Sequence, residues 1–172
     1  EVHVDNVDQD ALAAYIRTND TPRFRDLIAD LRQRGEWPLP VEIFISVQLT
    51  EPGTMMLNTT RLCGYDGTDG ASITRGMVAG RGEIDSLVTC LRRHFPGFAN
   101  ARIKAVAPLL GVRETRRIHA EYCLTVDDLM AGHEFVDVIG LSSYGWDLPD
   151  PKKPSYQPMH GKPKPALTPI PY

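Results

Sequence analysis

The sequence predicts an α+β fold: a mainly antiparallel sheet, packed helices and a Pro-rich extended C-terminal tail. Three observations carry this. Apolar residues recur at helical spacing in three segments, and one run between them alternates strictly. The segments do not follow the strand–helix–strand rhythm that a parallel sheet requires. Eight of the 14 prolines lie beyond residue 146, where neither a helix nor a central strand can tolerate them.

Taken in order, Val7, Ala11, Ala14 and Tyr15 mark an opening helix. Thr21-Pro22 starts a second, with Thr21 as N-cap and Pro22 in the first turn. Phe24, Leu27, Ile28 and Leu31 are its buried stripe, and Gly35 ends it. Trp37-Pro38-Leu39-Pro40 leads out in extended form. Val41, Ile43, Ile45, Val47 and Leu49 then alternate with Glu42, Phe44, Ser46 and Gln48, which is a strand with the first set on one face. Pro52-Gly53 suits the centre of a type II turn, and residues 55–62 return as the hairpin partner. A glycine-rich loop, 64–70, follows. A long helix over 74–94 has Met77, Val78, Ile84, Leu87, Val88 and Leu91 as its apolar face. Arg92-Arg93-His94 complement its negative end, and Pro96-Gly97 stops it. Residues 101–110 and 111–124 read as strands. Thr125 to Asp128 reads as a capping box with Asp in place of Glu, before a short helix ended by Gly132. Residues 1–146 thus form one domain segment, and 147–172 an extended strap or linker.

A length of 172 residues, 42% hydrophobic and 24% charged, suits one soluble domain with a real core. A net charge of -3 gives no pull toward nucleic acid or anionic lipid, and no apolar run is long enough to span a bilayer. Glu1-Val2-His3-Val4 carries neither a basic leader nor an apolar signal core. Cys63, Cys90 and Cys123 are far apart, which argues against a disulfide framework or a Cys-x-x-Cys metal site. The expected setting is therefore reducing and cytoplasmic.

Chemistry concentrates in residues 111–122. As a strand, this segment puts Arg113, Thr115, Arg117, His119 and Glu121 on one face, and Glu114, Arg116, Ile118, Ala120 and Tyr122 on the other. An arginine keeps its charge when half buried and donates in a fixed fork, which suits carboxylates and phosphates. The alternative is a solvated edge strand with Arg–Glu pairs. Asn58-Thr59-Thr60-Arg61 adds a polar cluster at the hairpin's end. His119 and Tyr122 are candidates for taking a proton, His119 because imidazole titrates near neutrality. No Gly-x-Gly-x-x-Gly, P-loop, His-Glu-x-x-His or Gly-x-Ser-x-Gly occurs.

Residues 111–118 (Gly-Val-Arg-Glu-Thr-Arg-Arg-Ile), Glu121-Tyr122-x-Leu124-Thr125, Asp127-Asp128 and Phe135-x-Asp137 closely resemble a signature of a bacterial family of FAD-dependent oxidoreductases. Residues 57–69, 91–101 and the closing Thr-Pro-Ile-Pro-Tyr are similar to further parts of that family. The chain departs from the pattern in having His119 and Cys123 at variable positions. It departs again at Tyr144-Gly145-Trp146-Asp147, where many relatives have Tyr-Pro. The resemblance is to the middle, substrate-domain segment of a two-part flavoprotein whose flavin-binding domain comes from other parts of the same protein.

The resemblance implies FAD as cofactor and hydride transfer between a small organic substrate and flavin. Arg113 and Arg117 would approach the flavin or an anionic substrate, with Asn58 and Arg61 on the opposite wall. Arg116 would pair with Glu114 or Glu121 and support the strand, while His119 or Tyr122 takes the proton. No metal is expected. The isolated segment is expected to bind no flavin and to be inactive. Two other readings stand beside this one. The first is a free-standing, non-catalytic α+β module that uses its Arg-rich face for an acidic ligand or partner. The second is an interaction domain whose proline tail docks on another protein.

Overall fold

The computed structural model describes residues 1–21, 23–145, 147, 150 and 167–172. The chain divides into two units, Glu1–Thr115 and Arg116–Tyr172, a division that falls inside the 1–146 segment. Helices combine with sheets whose strand pairs are all antiparallel, so the α+β expectation holds.

The first unit is built on β1 (Val2–Asp5), β2 (Ser46–Gln48), β3 (Met55–Leu57) and β4 (Arg102–Val106), in the order β2-β3-β1-β4. Around it lie α1 (Gln9–Asn19), α2 (Arg25–Gln33) and α3 (Gly70–His94). The core joins Val2 and Val4 of β1 and Met55 and Leu57 of β3 to Leu12, Ile28 and Leu31 on α1 and α2. From α3 come Ile84, Leu87, Val88 and Leu91, the 3.6-residue stripe expected there. Phe24, Phe44, Phe95 and Phe98 meet at its centre with ring centroids 5.1–6.4 Å apart.

Turn chemistry follows the sequence closely. Gly35 takes φ +71 after α2, and Glu36 N donates to Leu31 O while Gly35 N donates to Arg32 O, the Schellman pattern. Thr54 N donates to Glu51 O around Pro52-Gly53, with Gly53 at φ +73. Phe98 N closes the same kind of turn on Phe95 O, with Gly97 at φ +84.

Four expectations are corrected. Thr21 does not cap α2; Phe24 does, at φ 55 and with no side-chain cap bond. That left-handed backbone costs roughly 1–2 kcal/mol for a non-glycine residue. It is offset by swinging the Phe24 ring into the core, where it stacks on Tyr15 at 5.5 Å. Pro22 lies outside the described residues. The strand expected over 41–49 is reduced to β2, because Phe44 is buried with Val41 while Val47 is exposed. Phe44 N bonds to Arg23 O, and the Ile45 backbone bonds to the Thr59 hydroxyl, so tertiary partners replace the ladder. On α3, Val78 is 68% exposed; the inward positions of that half are Ser72 and Gly76. Finally, residues 111–124 form no strand.

Glu83 on α3 has one carboxylate oxygen buried without a hydrogen-bond partner, and burial raises its pKa. With the folded value above the unfolded one, its contribution is complete below about pH 4.3 and is lost as pH rises through the folded value. Glu83→Gln should therefore raise stability at pH 7 by up to about 1 kcal/mol, solvent screening included, and leave it nearly unchanged at pH 4. Equal gains at both pH values in urea denaturation would refute the assignment.

The second unit holds α4 (Val126–Ala131) and a ribbon of β5 (Val138–Ser142) with β6 (Thr168–Pro171). The capping box is present: Thr125 Oγ1 accepts from Asp128 N, and the Asp128 carboxylate accepts from Thr125 N. Gly132 ends α4 at φ 65. Strand β6 carries Pro169 and Pro171, and β5 is its one partner among the described residues. The strap expected over 147–172 lies mostly outside the described residues.

Candidate functional site

In the first unit, Asn58 and Arg61 follow β3, and Thr59 anchors them. Its buried hydroxyl accepts from Ile45 N at 2.9 Å and donates to Ile45 O at 3.0 Å. Asn58 N adds a bond to Ile45 O at 2.9 Å and leaves its side chain exposed. The chain then enters a self-satisfied loop. Asp66 Oδ1 accepts from Thr68 N and Thr68 Oγ1, and Asp66 N donates to Ser72 Oγ.

Glycines let this loop and Leu110 lie close to α3. A Cβ at Gly80 would come 3.2 Å from Leu62, and one at Gly76 would come 3.1 Å from Leu110 and 3.3 Å from the Tyr65 ring. A Cβ at Gly67 would meet Val112 Cγ1 and Thr115 Cγ2 at 2.6 Å each. Leu62, Tyr65 and Leu110 thereby pack on the Gly76–Gly80 stretch of α3, while Val112 and Thr115 pack on Gly67 in the loop before it. The sequence signal was available in Gly76 and Gly80, four apart on one helical face, each costing roughly 1 kcal/mol against Ala unless close packing offsets it. Gly67→Ala should lower stability by about 1–3 kcal/mol and displace the 112–115 backbone. Unaltered denaturation and unaltered amide shifts at 112–115 would show the contact to be slack.

The expected site residues divide between the units. Asn58, Arg61, Arg113 and Glu114 belong to the first; Arg116, Arg117, His119, Glu121 and Tyr122 belong to the second. Residues 111–123 are exposed throughout, and Arg61, Arg113, Glu114 and Arg117 each engage a partner. Without a strand, the two-faced alternation of charges is not present as derived.

In the second unit the Tyr122 hydroxyl donates to the Asp128 carboxylate, and this bond raises the Tyr122 pKa. Asp128 is lowered by the Thr125 hydroxyl first, then by Tyr122 and the Thr125 backbone. Tyr122 therefore keeps its proton and donates a hydrogen bond. The Tyr122 ring lies 5.3 Å from Phe135 and 6.5 Å from His133, and those two are 4.6 Å apart.

A separate cleft of about 720 Å³ borders the C-terminal half of α3 and includes Glu36, Asp85, Cys90, Arg93 and His94. His94 Nε2 lies 2.9 Å from Glu36 Oε2, tying α3 to the turn after α2. Burial pushes the Cys90 thiol up, so it stays protonated and is a poor nucleophile. Among the described residues no group of His, Cys, Asp and Glu could hold a metal, and no helix is long and apolar enough to cross a membrane.

The described residues do not fit the ADP half of a dinucleotide cofactor. The glycine loop does lead into α3, but the Asp69 carboxylate already accepts from Ala71 N and Ser72 N, filling the helix end with negative charge where a pyrophosphate would bind. The first unit's sheet is antiparallel, without a parallel strand–helix–strand crossover among the described residues. Exposed arginine and amide side chains are the chemistry that fits a flavin ring or an anionic substrate.

No curated protein and no solved structure matches the chain. The family model described as FAD dependent oxidoreductase matches residues 2–172. The arginine-bearing exposed segments and that match across the whole chain lead to one conclusion: the chain belongs to the FAD-dependent oxidoreductase family, which uses FAD as its cofactor.

Proposed function

We propose that the chain supplies the substrate-domain wall of a flavoenzyme that oxidises or reduces a small organic substrate. The observation that carries this is the packing of Leu62, Tyr65 and Leu110 on glycines of α3 and of Val112 and Thr115 on Gly67, within a chain matched over residues 2–172 by the oxidoreductase family. FAD, when bound, supplies hydride transfer; the protein supplies orientation and electrostatics.

In this reading Arg113 and Arg117 present fixed positive charge to the flavin ring or to an anionic substrate. Asn58 and Arg61 orient the substrate. Arg116, with Glu114 or Glu121, steadies the segment. The Tyr122 hydroxyl donates a hydrogen bond, which leaves a nitrogen of the His119 imidazole to take the substrate's proton. The ADP half is held by a flavin-binding domain of the same protein. The three free thiols favour a cytoplasmic setting.

The second unit supports a partner domain. Thr168 is its one buried residue among those described, and Ile118, Val136, Ile139, Leu141, Tyr144 and Tyr172 are each more than 60% exposed. So much uncovered apolar surface marks a contact face. The purified 172-residue chain should carry no flavin, while the intact protein should be yellow. A chain that purifies with stoichiometric flavin would overturn this division of labour.

A further inference from the structure

We propose that Tyr122, His133 and Phe135 form an aromatic site for a small organic ammonium ion. The three ring centroids make a triangle with sides of 4.6, 5.3 and 6.5 Å. A triangle that small lets one cation lie within about 6 Å of all three rings, the range over which ring faces attract positive charge. Phe135 is tilted against both other rings, by 55° and 68°, so the three present different faces instead of one flat stack. Tyr122 is 44% exposed and His133 is exposed, so the cluster is open to solvent.

Charge points to the same ligand. Residues 121–137 contain Glu121, Asp127, Asp128, Glu134 and Asp137 and no Lys or Arg. Asp128 is fixed beside the rings by the Tyr122 hydroxyl and by the capping box. A neutral apolar group gains nothing from the carboxylate at the rings. An ammonium with apolar substituents uses both the rings and the field. This site lies within the second unit and does not depend on the flavin reading. Tyr122, Asp128 and Phe135 converge on it.

The test is a titration of the protein at pH 8. Choline and its neutral isostere 3,3-dimethylbutanol are added separately while the aromatic NMR signals are followed. Choline should bind at least about fivefold more tightly than the isostere. Phe135→Leu, which keeps apolar volume and removes a ring, should abolish that preference, and Tyr122→Phe, which keeps the ring, should retain it. Equal affinities for the two probes, or a preference that survives Phe135→Leu, would overturn the proposal. A capped lysine amide binding more tightly than choline would overturn the small-molecule source and assign the ring cluster to a polypeptide ammonium.

Discussion

Replacing Arg113 by Ala in the intact protein should slow substrate-linked flavin reduction by about 10²–10³-fold, the usual effect of removing one preorganised group that stabilises developing charge. The expectation follows from position. Arg113 lies between Val112 and Thr115, and a Cβ at Gly67 would approach both by 2.6 Å. Arg113 is thus flanked by two side chains that pack on the loop leading into α3. Arg113→Lys should recover only part of the rate, because an ammonium keeps the charge and loses the fork. Stopped-flow reduction monitored by flavin absorbance separates the outcomes, and unchanged kinetics in Arg113→Ala would remove it from the site.

Gly97→Ala should cost about 4 kcal/mol of stability. Gly97 sits at φ +84, where a Cβ alone costs roughly 1–2 kcal/mol. The new Cβ would also fall 2.3 Å from the Asp8 carbonyl oxygen and 3.3 Å from Leu12 Cβ. Backbone cannot give way as a side-chain tip can, so the Asp8 N to Gly97 O bond of 2.9 Å is strained or lost. Asp8 also caps α1 through Ala11 N, so the damage reaches that helix. Gly53→Ala is the control. Its φ of +73 is similar, but its nearest neighbour is 3.5 Å away, so only the backbone term of about 1–2 kcal/mol should appear. Equal losses in the two variants would mean that the Asp8 contact contributes nothing.

What could be read in the sequence was local. The stripe Ile84, Leu87, Val88, Leu91, the turns at Pro52-Gly53 and Pro96-Gly97, the stop at Gly35 and the Thr125–Asp128 capping box all depend on neighbours within a few residues. The errors lie where distant partners decide. Strand β1 is four residues long and gains its identity from β3 and β4, about 50 and 100 residues away, and nothing local announces it. Phe44 falls on the polar face of an alternating pattern yet is core, because aromatic packing with Phe24, Phe95 and Phe98 outweighs a regular ladder. Residues 111–124 alternate in charge like an edge strand, but alternation without a pairing partner makes no sheet. The candidate site shows in the sequence only as composition, in Asn58, Arg61 and Arg113. The close packing around Gly67, Gly76 and Gly80 shows only in what a side chain there would strike.

The midpoint potential of the flavin in the intact protein tests the central claim most directly, because it reports charge at the ring independently of turnover. If Arg113 holds positive charge against the ring, Arg113→Ala should lower the potential by about 30 mV or more, where 30 mV corresponds to roughly 1.4 kcal/mol for a two-electron couple. The same potential in both proteins, with flavin fully bound, would show that this arginine does not face the cofactor.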